Sequence, residues 1–127
     1  MKTKEELQEL LEPHDREWLE CDGGTTVFAW ILKKEGIPFT VMCGRAEFDG
    51  EIVQPHYWLE LEDSGLIVDF KLGMWLPGIG GVPCGVFSLK DNPKLLYVGE
   101  KANDFIICEV VYNMLTRDPN WDEEDDE

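Results

Sequence analysis

Apolar residues recur every three or four positions in three segments of the chain, which is the pattern of helices that bury one face. The first helix is predicted from about Lys4 to Leu11. Thr3 and Glu6 have the spacing of a capping box at its start, and Pro13 follows its end. This helix presents one leucine-rich face.

The second helical segment, "CDGGTTVFAWILKKEGIPF", begins at Cys21 and carries its apolar residues along one side. Gly36 and then Pro38 are typical of the end of a helix. The third helix is predicted over about 104–115. Its apolar stripe is expected to face the core: Phe105, Ile106, Val110, Val111 and Met114.

Shorter apolar runs between the second and third helices have the length and composition of strands. They are "PFTVMCG" (38–44), "QPHYWLELE" (54–62), "GLIVDF" (65–70) and "KLLYVG" (94–99). The glycine-rich segment 72–85 predicts a long irregular loop, and such loops often carry function. The order of elements predicts an α+β fold, with N-terminal helices packed on a small antiparallel sheet and a C-terminal helix.

Charge and composition narrow the range of functions. The 127 residues include 11 basic and 27 acidic side chains, a net charge of −16. Seven of the acids lie in 118–127, which predicts an acidic, disordered tail after a single domain at 1–117. The acidic field repels phosphate backbones, so a nucleic-acid partner is not expected.

Hydropathy and cysteine usage bear on the compartment. The longest apolar run, "VFAWIL", is too short to cross a bilayer, and the first residues do not resemble a signal peptide. The four cysteines form no CxxC pair, which is typical of reduced thiols. We therefore expect a cytoplasmic protein with no membrane partner.

Candidate chemistry centres on three residues that are far apart in the sequence. Cys21 opens a helix, where unpaired N–H groups and the helix dipole stabilise a thiolate. His56 starts one predicted strand and Asp69 ends the next. If "EDSG" forms a tight hairpin with an even number of loop residues, Asp69 lies on the same face as His56 and close to it. A thiol, an imidazole that takes its proton and a carboxylate that orients the imidazole make up a nucleophilic triad.

These residues resemble the transglutaminase-like branch of the papain-like cysteine enzymes. The pattern "C…A…IL..EGIPF.V..G", followed by "H.W.E…….VD", is similar in order and spacing to the motifs of that family. The run "H.W…..DF.L.MWL" also resembles small bacterial and phage proteins of unassigned function.

The resemblance implies a papain-like core and acyl transfer on a protein or peptide substrate through a Cys21 thioester: hydrolysis, deamidation or transfer to an amine. His56 and Asp69 complete the catalytic set. We assign substrate contacts to Gly23, Trp58 and Trp75. The Cys21 N–H is expected to be one oxyanion donor, and the Trp18 indole is a candidate for the second. The resemblance implies no cofactor and no metal.

Other interpretations remain open on the sequence. The same fold without catalysis would be a binding protein, for instance an acidic phage or host-interaction protein. The charge alone is compatible with a DNA-mimicking inhibitor. A zinc site could draw on Cys and His residues, although none has the short spacing of known zinc motifs: His14, Cys21, His56 and Cys84.

Overall fold

One antiparallel sheet of five strands, in the order β4-β3-β2-β1-β5, organises the protein in the computed structural model, which describes residues 2–103 and 105–117. The helices of this part of the chain are α1 (Lys4–Leu11), α2 (Cys21–Lys34) and α3 (Glu109–Thr116). The strands are β1 (Phe39–Phe48), β2 (Glu51–Leu61), β3 (Ile67–Asp69), β4 (Gly85–Phe87) and β5 (Leu95–Lys101). The predicted α+β class is confirmed. The predicted tail at 118–127 lies outside the described residues.

The first helix has the bounds and the cap that the sequence predicts. Glu6 N–H donates to the Thr3 hydroxyl at 3.1 Å, and Thr3 N–H donates to the Glu6 carboxylate at 2.8 Å. These two bonds satisfy backbone donors that the first turn leaves unpaired. Leu7 and Leu11 then face inward and are buried.

The strands extend further than the apolar runs suggest. β1 and β2 form a long hairpin through Asp49 and Gly50, both with positive φ (51° and 89°). An Asp-Gly pair favours such a two-residue turn because both positions tolerate left-handed backbone. β4 was not predicted, since its three residues lie at the end of the glycine-rich segment and pair only with β3.

The register between β2 and β3 decides where the candidate carboxylate lies. Leu59 is opposite Val68 and Glu60 is opposite Ile67, which is the register that a turn with an even number of residues produces. Continuing that register places Asp69 on the same face of the sheet as His56.

The two faces of the sheet bury different clusters. One face packs against the helices through alternate strand residues, among them Leu59 and Val68. The other face packs against the segment after β3, which contributes Leu72 and Leu76. Asp69 lies on this second face, beside a largely buried apolar cluster.

The prediction that the apolar stripe of the third helix faces the core is wrong in part. Ile106, Val110 and Met114 are 70%, 66% and 70% exposed. α3 begins only at Glu109, so residues 105–107 precede it and do not share its periodicity. The helix instead packs inward through Tyr112 and Leu115.

No helix in the described residues is long and apolar enough to cross a membrane.

Candidate active site

The three predicted catalytic residues come together between the start of α2 and the adjoining strands. His56 Nε2 donates to Asp69 Oδ2 at 2.6 Å, and both side chains are buried, with 0% and 1% of their surface exposed. The Cys21 thiol is near enough to the same imidazole to contribute to raising its pKa. The other ring nitrogen, Nδ1, is buried and makes no hydrogen bond of good geometry. Since Asp69 occupies Nε2, Nδ1 is the nitrogen left to exchange a proton with the thiol.

Asp69 accepts four hydrogen bonds, enough to occupy both carboxylate oxygens. Oδ1 accepts from the backbone N–H of Lys71 at 2.9 Å and of Leu72 at 3.0 Å. Oδ2 accepts from His56 and from the Tyr97 hydroxyl at 2.7 Å. The backbone bonds arise because Asp69 ends a strand just before a helical turn, a position where Asp bonds to the following N–H groups. The carboxylate is thereby fixed from two sides, and it in turn fixes the imidazole.

The electrostatics of the site favour a protonated imidazole. Burial lowers the pKa of His56, but the hydrogen bond to Asp69, the nearby Cys21 thiol and the charges of both raise it more. The net result is a pKa of about 9. At neutral pH the imidazole is therefore cationic and lies between two groups that stabilise its charge.

Two aromatic rings enclose the imidazole. The Trp58 ring stacks beside it at 6.2 Å between centroids, and the Tyr97 ring at 6.4 Å. Trp58 is only 1% exposed, so the structure corrects its predicted role in substrate contact. As the residue two positions after His56 on the same strand face, it packs against the imidazole and away from solvent.

Tyr97 is a site residue that sequence reasoning missed. Burial raises its pKa, as do the charge of Asp69 and the hydrogen bond to it, so the hydroxyl keeps its proton and donates. No local pattern marks it, because β5 reaches Asp69 only through pairing with β1.

Lys71 was also missed, although a signal was present: a lysine inside the apolar run "LIVDFKL". It is 6% exposed, and its ammonium bonds to Asp15 Oδ1 and to the Arg16 carbonyl, both at 2.7 Å. A buried lysine needs such partners. Lys71 thus links the strand that ends at Asp69 to the segment that leads into Cys21.

A cleft of about 410 Å³ opens beside the thiol. Cys21 contributes to its wall between two exposed acidic residues, Glu20 and Asp22. The remaining wall includes Trp75, which is 44% exposed. Trp75 therefore lies where a substrate contact requires it, and that role stays a prediction.

The start of α2 contributes backbone donors. Glu20, at the N-cap, makes no side-chain capping bond, while Gly23 N–H donates to Asp22 Oδ1 at 2.8 Å. The proposal of Trp18 as an oxyanion donor is wrong, because its indole N–H donates to the Leu115 carbonyl at 2.9 Å.

Gly23 lies between Leu19 and Leu115, and a Cβ there would come within 3.2 Å of Leu19. A contact between Gly23 and substrate remains a prediction.

The zinc interpretation finds no support among residues 2–103 and 105–117, where no group of three His, Cys, Asp or Glu side chains is placed to hold a metal ion. His14 instead bonds to the Tyr112 hydroxyl through Nδ1 at 2.6 Å. Cys84 is exposed, and its sulfur points to the Phe70 carbonyl at 3.7 Å. Partial burial raises the pKa of the Cys84 thiol, as do the charges of Asp15 and Asp69, which disfavours reactivity.

Sequence and structure comparisons add no relative from which a role could be transferred. No family model matches the chain, and no curated protein or solved structure is significantly similar to it.

Proposed function

We propose that this protein is a thiol-dependent acyl-transfer enzyme with a papain-like, transglutaminase-like core. One observation carries the proposal: a buried imidazole is held by a carboxylate on Nε2 and interacts with a thiol at a helix start. A purely structural His–Asp pair requires neither the thiol beside it nor a cleft that reaches the thiol.

The roles follow from the chemistry of the three groups. Cys21 attacks an amide carbonyl carbon as a thiolate, its proton already on His56 Nδ1. A C–S bond forms, and His56 gives that proton to the leaving nitrogen as the C–N bond breaks. The resulting thioester is attacked by water or an amine, whose proton passes to His56 as the C–S bond breaks. Asp69 orients the imidazole and stabilises its cationic form throughout.

The oxyanion of the tetrahedral intermediate needs donors already in place. We assign the backbone N–H of Cys21, at the start of α2, as one donor, because the first N–H groups of a helix lack partners within the helix. The cationic imidazole adds a positive charge close to the developing negative one.

Thiol reactivity tests the proposal directly. We expect iodoacetamide at about pH 6.5 to alkylate Cys21 at least about tenfold faster than Cys108, measured by mass spectrometry of the intact and digested protein. Cys108 is a matched control because it precedes α3 as Cys21 begins α2, and it is less buried. His56→Ala should remove the advantage of Cys21.

Turnover is tested with a trap for the acyl-enzyme. Incubation with a peptide mixture and hydroxylamine should release peptide hydroxamates, since hydroxylamine cleaves a thioester and regenerates the thiol. Cys21→Ala should give none. Equal alkylation of Cys21 and Cys108, together with no hydroxamate, would favour the catalytically silent binding protein.

A further inference from the structure

A second groove adjoins the thiol cleft, and the proposed reaction does not account for it. Its volume is about 430 Å³, and it lies between α2 and the segment that leads into α3. Its apolar wall consists of Phe105, Ile106, Val111 and Leu115. We call it the α3 groove.

The two depressions are immediate neighbours. Asp22 and Tyr57 line both the cleft beside Cys21 and the α3 groove. A ligand bound in one depression therefore lies next to the other, with Asp22 and Tyr57 between the two. Each has a volume within the range of ordinary ligand sites.

The wall of the α3 groove is anchored, so the groove exists before a ligand binds. His14 bonds to Tyr112 at 2.6 Å, and the Trp18 indole bonds to the Leu115 carbonyl at 2.9 Å. The Lys33 ammonium bonds to the Ile107 carbonyl at 3.2 Å. These bonds hold both ends of the wall against the body of the protein.

The charge of the two depressions indicates what kind of ligand they accept. Within the described residues, their lining includes the carboxylates of Glu20 and Asp22 and neither Lys nor Arg. Asp22 lies where the two depressions meet. A net charge of −16 adds long-range attraction for cations.

We propose that the α3 groove is the second half of the substrate site, and that the acyl substrate is an extended peptide. One apolar side chain of the peptide occupies the α3 groove, and a basic residue lies beside Asp22. This inference rests on the proposed acyl-transfer function, because only that function places a reacting carbonyl at Cys21. An extended peptide advances about 3.3 Å per residue, so one peptide can reach both depressions within a few residues.

The first test uses short peptides with an iodoacetamido group on a central side chain. Peptides with Arg and Leu beside that group should alkylate Cys21 at least about tenfold faster than peptides with Glu and Gln there. Ile106→Gln should reduce the preference for Leu about threefold or more. Asp22→Asn should remove the preference for Arg while retaining the oxygen that accepts from Gly23 N–H at 2.8 Å.

Val110→Gln is the matched control. Val110 is 66% exposed on α3, close to the 70% of Ile106, but it does not line the groove. It should leave all peptide preferences unchanged. Free iodoacetamide should react equally with the wild type and Val110→Gln, and each variant's peptide rates are divided by its own rate with free iodoacetamide, so that a change in the thiol itself is not counted as a change in peptide preference. Wild-type protein that alkylates quickly yet does not distinguish the peptides would overturn the groove proposal alone.

A binding measurement separates the two proposals if the thiol proves inert. Cys21→Ala protein is titrated with the same peptides, carrying an unreactive acetamido group, and backbone NMR shifts are followed. Shifts at 105–115 that require Arg and Leu support the groove even without catalysis. Shifts confined to other surfaces, or none, would contradict it.

Discussion

At the scale of single residues, Asp69 is the centre of the site. Its carboxylate accepts hydrogen bonds from two backbone N–H groups, the imidazole and a phenol. The loss of any one donor therefore changes the strength of the remaining hydrogen bonds. Tyr97 and His56 share the same oxygen, Oδ2, and therefore compete for its negative charge.

Tyr97→Phe removes one of these competitors and keeps the ring. We expect the pKa of His56 to rise further, because Oδ2 is then free to interact with the imidazole alone. Stability should fall by about 1–3 kcal/mol, the usual effect of losing a hydrogen bond to a charged group. NMR titration of the imidazole and urea denaturation measure the two effects.

Tyr112→Phe is the control, since it loses a hydrogen bond to the other histidine, His14, at 2.6 Å. It should leave the titration of His56 unchanged. A lower pKa of His56 in Tyr97→Phe would show that the phenol does not compete for Oδ2.

At the scale of elements, the site depends on the joining of a strand end to a helix start. Lys71 follows β3 and bonds to the segment before α2, and its stem lies against the helix: a Cβ at Gly24 would come within 3.3 Å of it. This connection joins the strand end that holds the carboxylate to the segment that leads into the thiol.

Lys71→Met keeps the apolar stem and removes the ammonium. The Asp15 carboxylate and the Arg16 carbonyl then lose their partner, and we expect a loss of about 1–2 kcal/mol, moderated by the partial exposure of Asp15. Alkylation of Cys21 should also slow, because the start of α2 loses its anchor. Thermal denaturation and the iodoacetamide rate measure these outcomes.

Lys90→Met is the corresponding control: it removes the same charge at an exposed position. It should change neither the melting temperature nor the rate. If Lys71→Met melted like the wild type and kept its alkylation rate, Lys71 would have no positioning role.

At the scale of the whole molecule, the buried imidazole makes stability depend on pH. Its pKa is about 9 in the folded protein and near 6.5 when the chain is unfolded. The folded state therefore binds more protons between these values, and its stability falls as pH rises. The stabilisation is complete below about pH 6.5 and is lost through about pH 9; its upper bound is about 3 kcal/mol.

Urea denaturation at several pH values tests this prediction. The free energy of unfolding of the wild type should decline between about pH 7 and pH 9. His56→Gln should be less stable at neutral pH, with a much flatter dependence. A wild-type stability that is constant over this interval would contradict a cationic, buried His56.

Local sequence patterns determined the elements whose signals are short in range. The cap at Thr3 and Glu6 and the end of α2 at Gly36 depend on neighbouring residues, so the sequence alone predicted them. The length of the turn between β2 and β3 decided which residues of the two strands share a face. It placed His56 and Asp69 on one face, and together with Cys21 at a helix start this allowed the candidate triad to be predicted from the sequence.

The tertiary structure decided what depends on distant pairing. Tyr97 reaches Asp69 through the β1–β5 pairing, and Lys71 finds partners more than fifty residues earlier in the chain. Trp58 is enclosed because the segment after β3 covers its face of the sheet. The inward side of α3 was fixed by contacts with Trp18 and His14, and periodicity alone could not identify it. Hydrophobic periodicity indicates which residues can be buried. Which other residues cover them depends on how distant parts of the chain pack together.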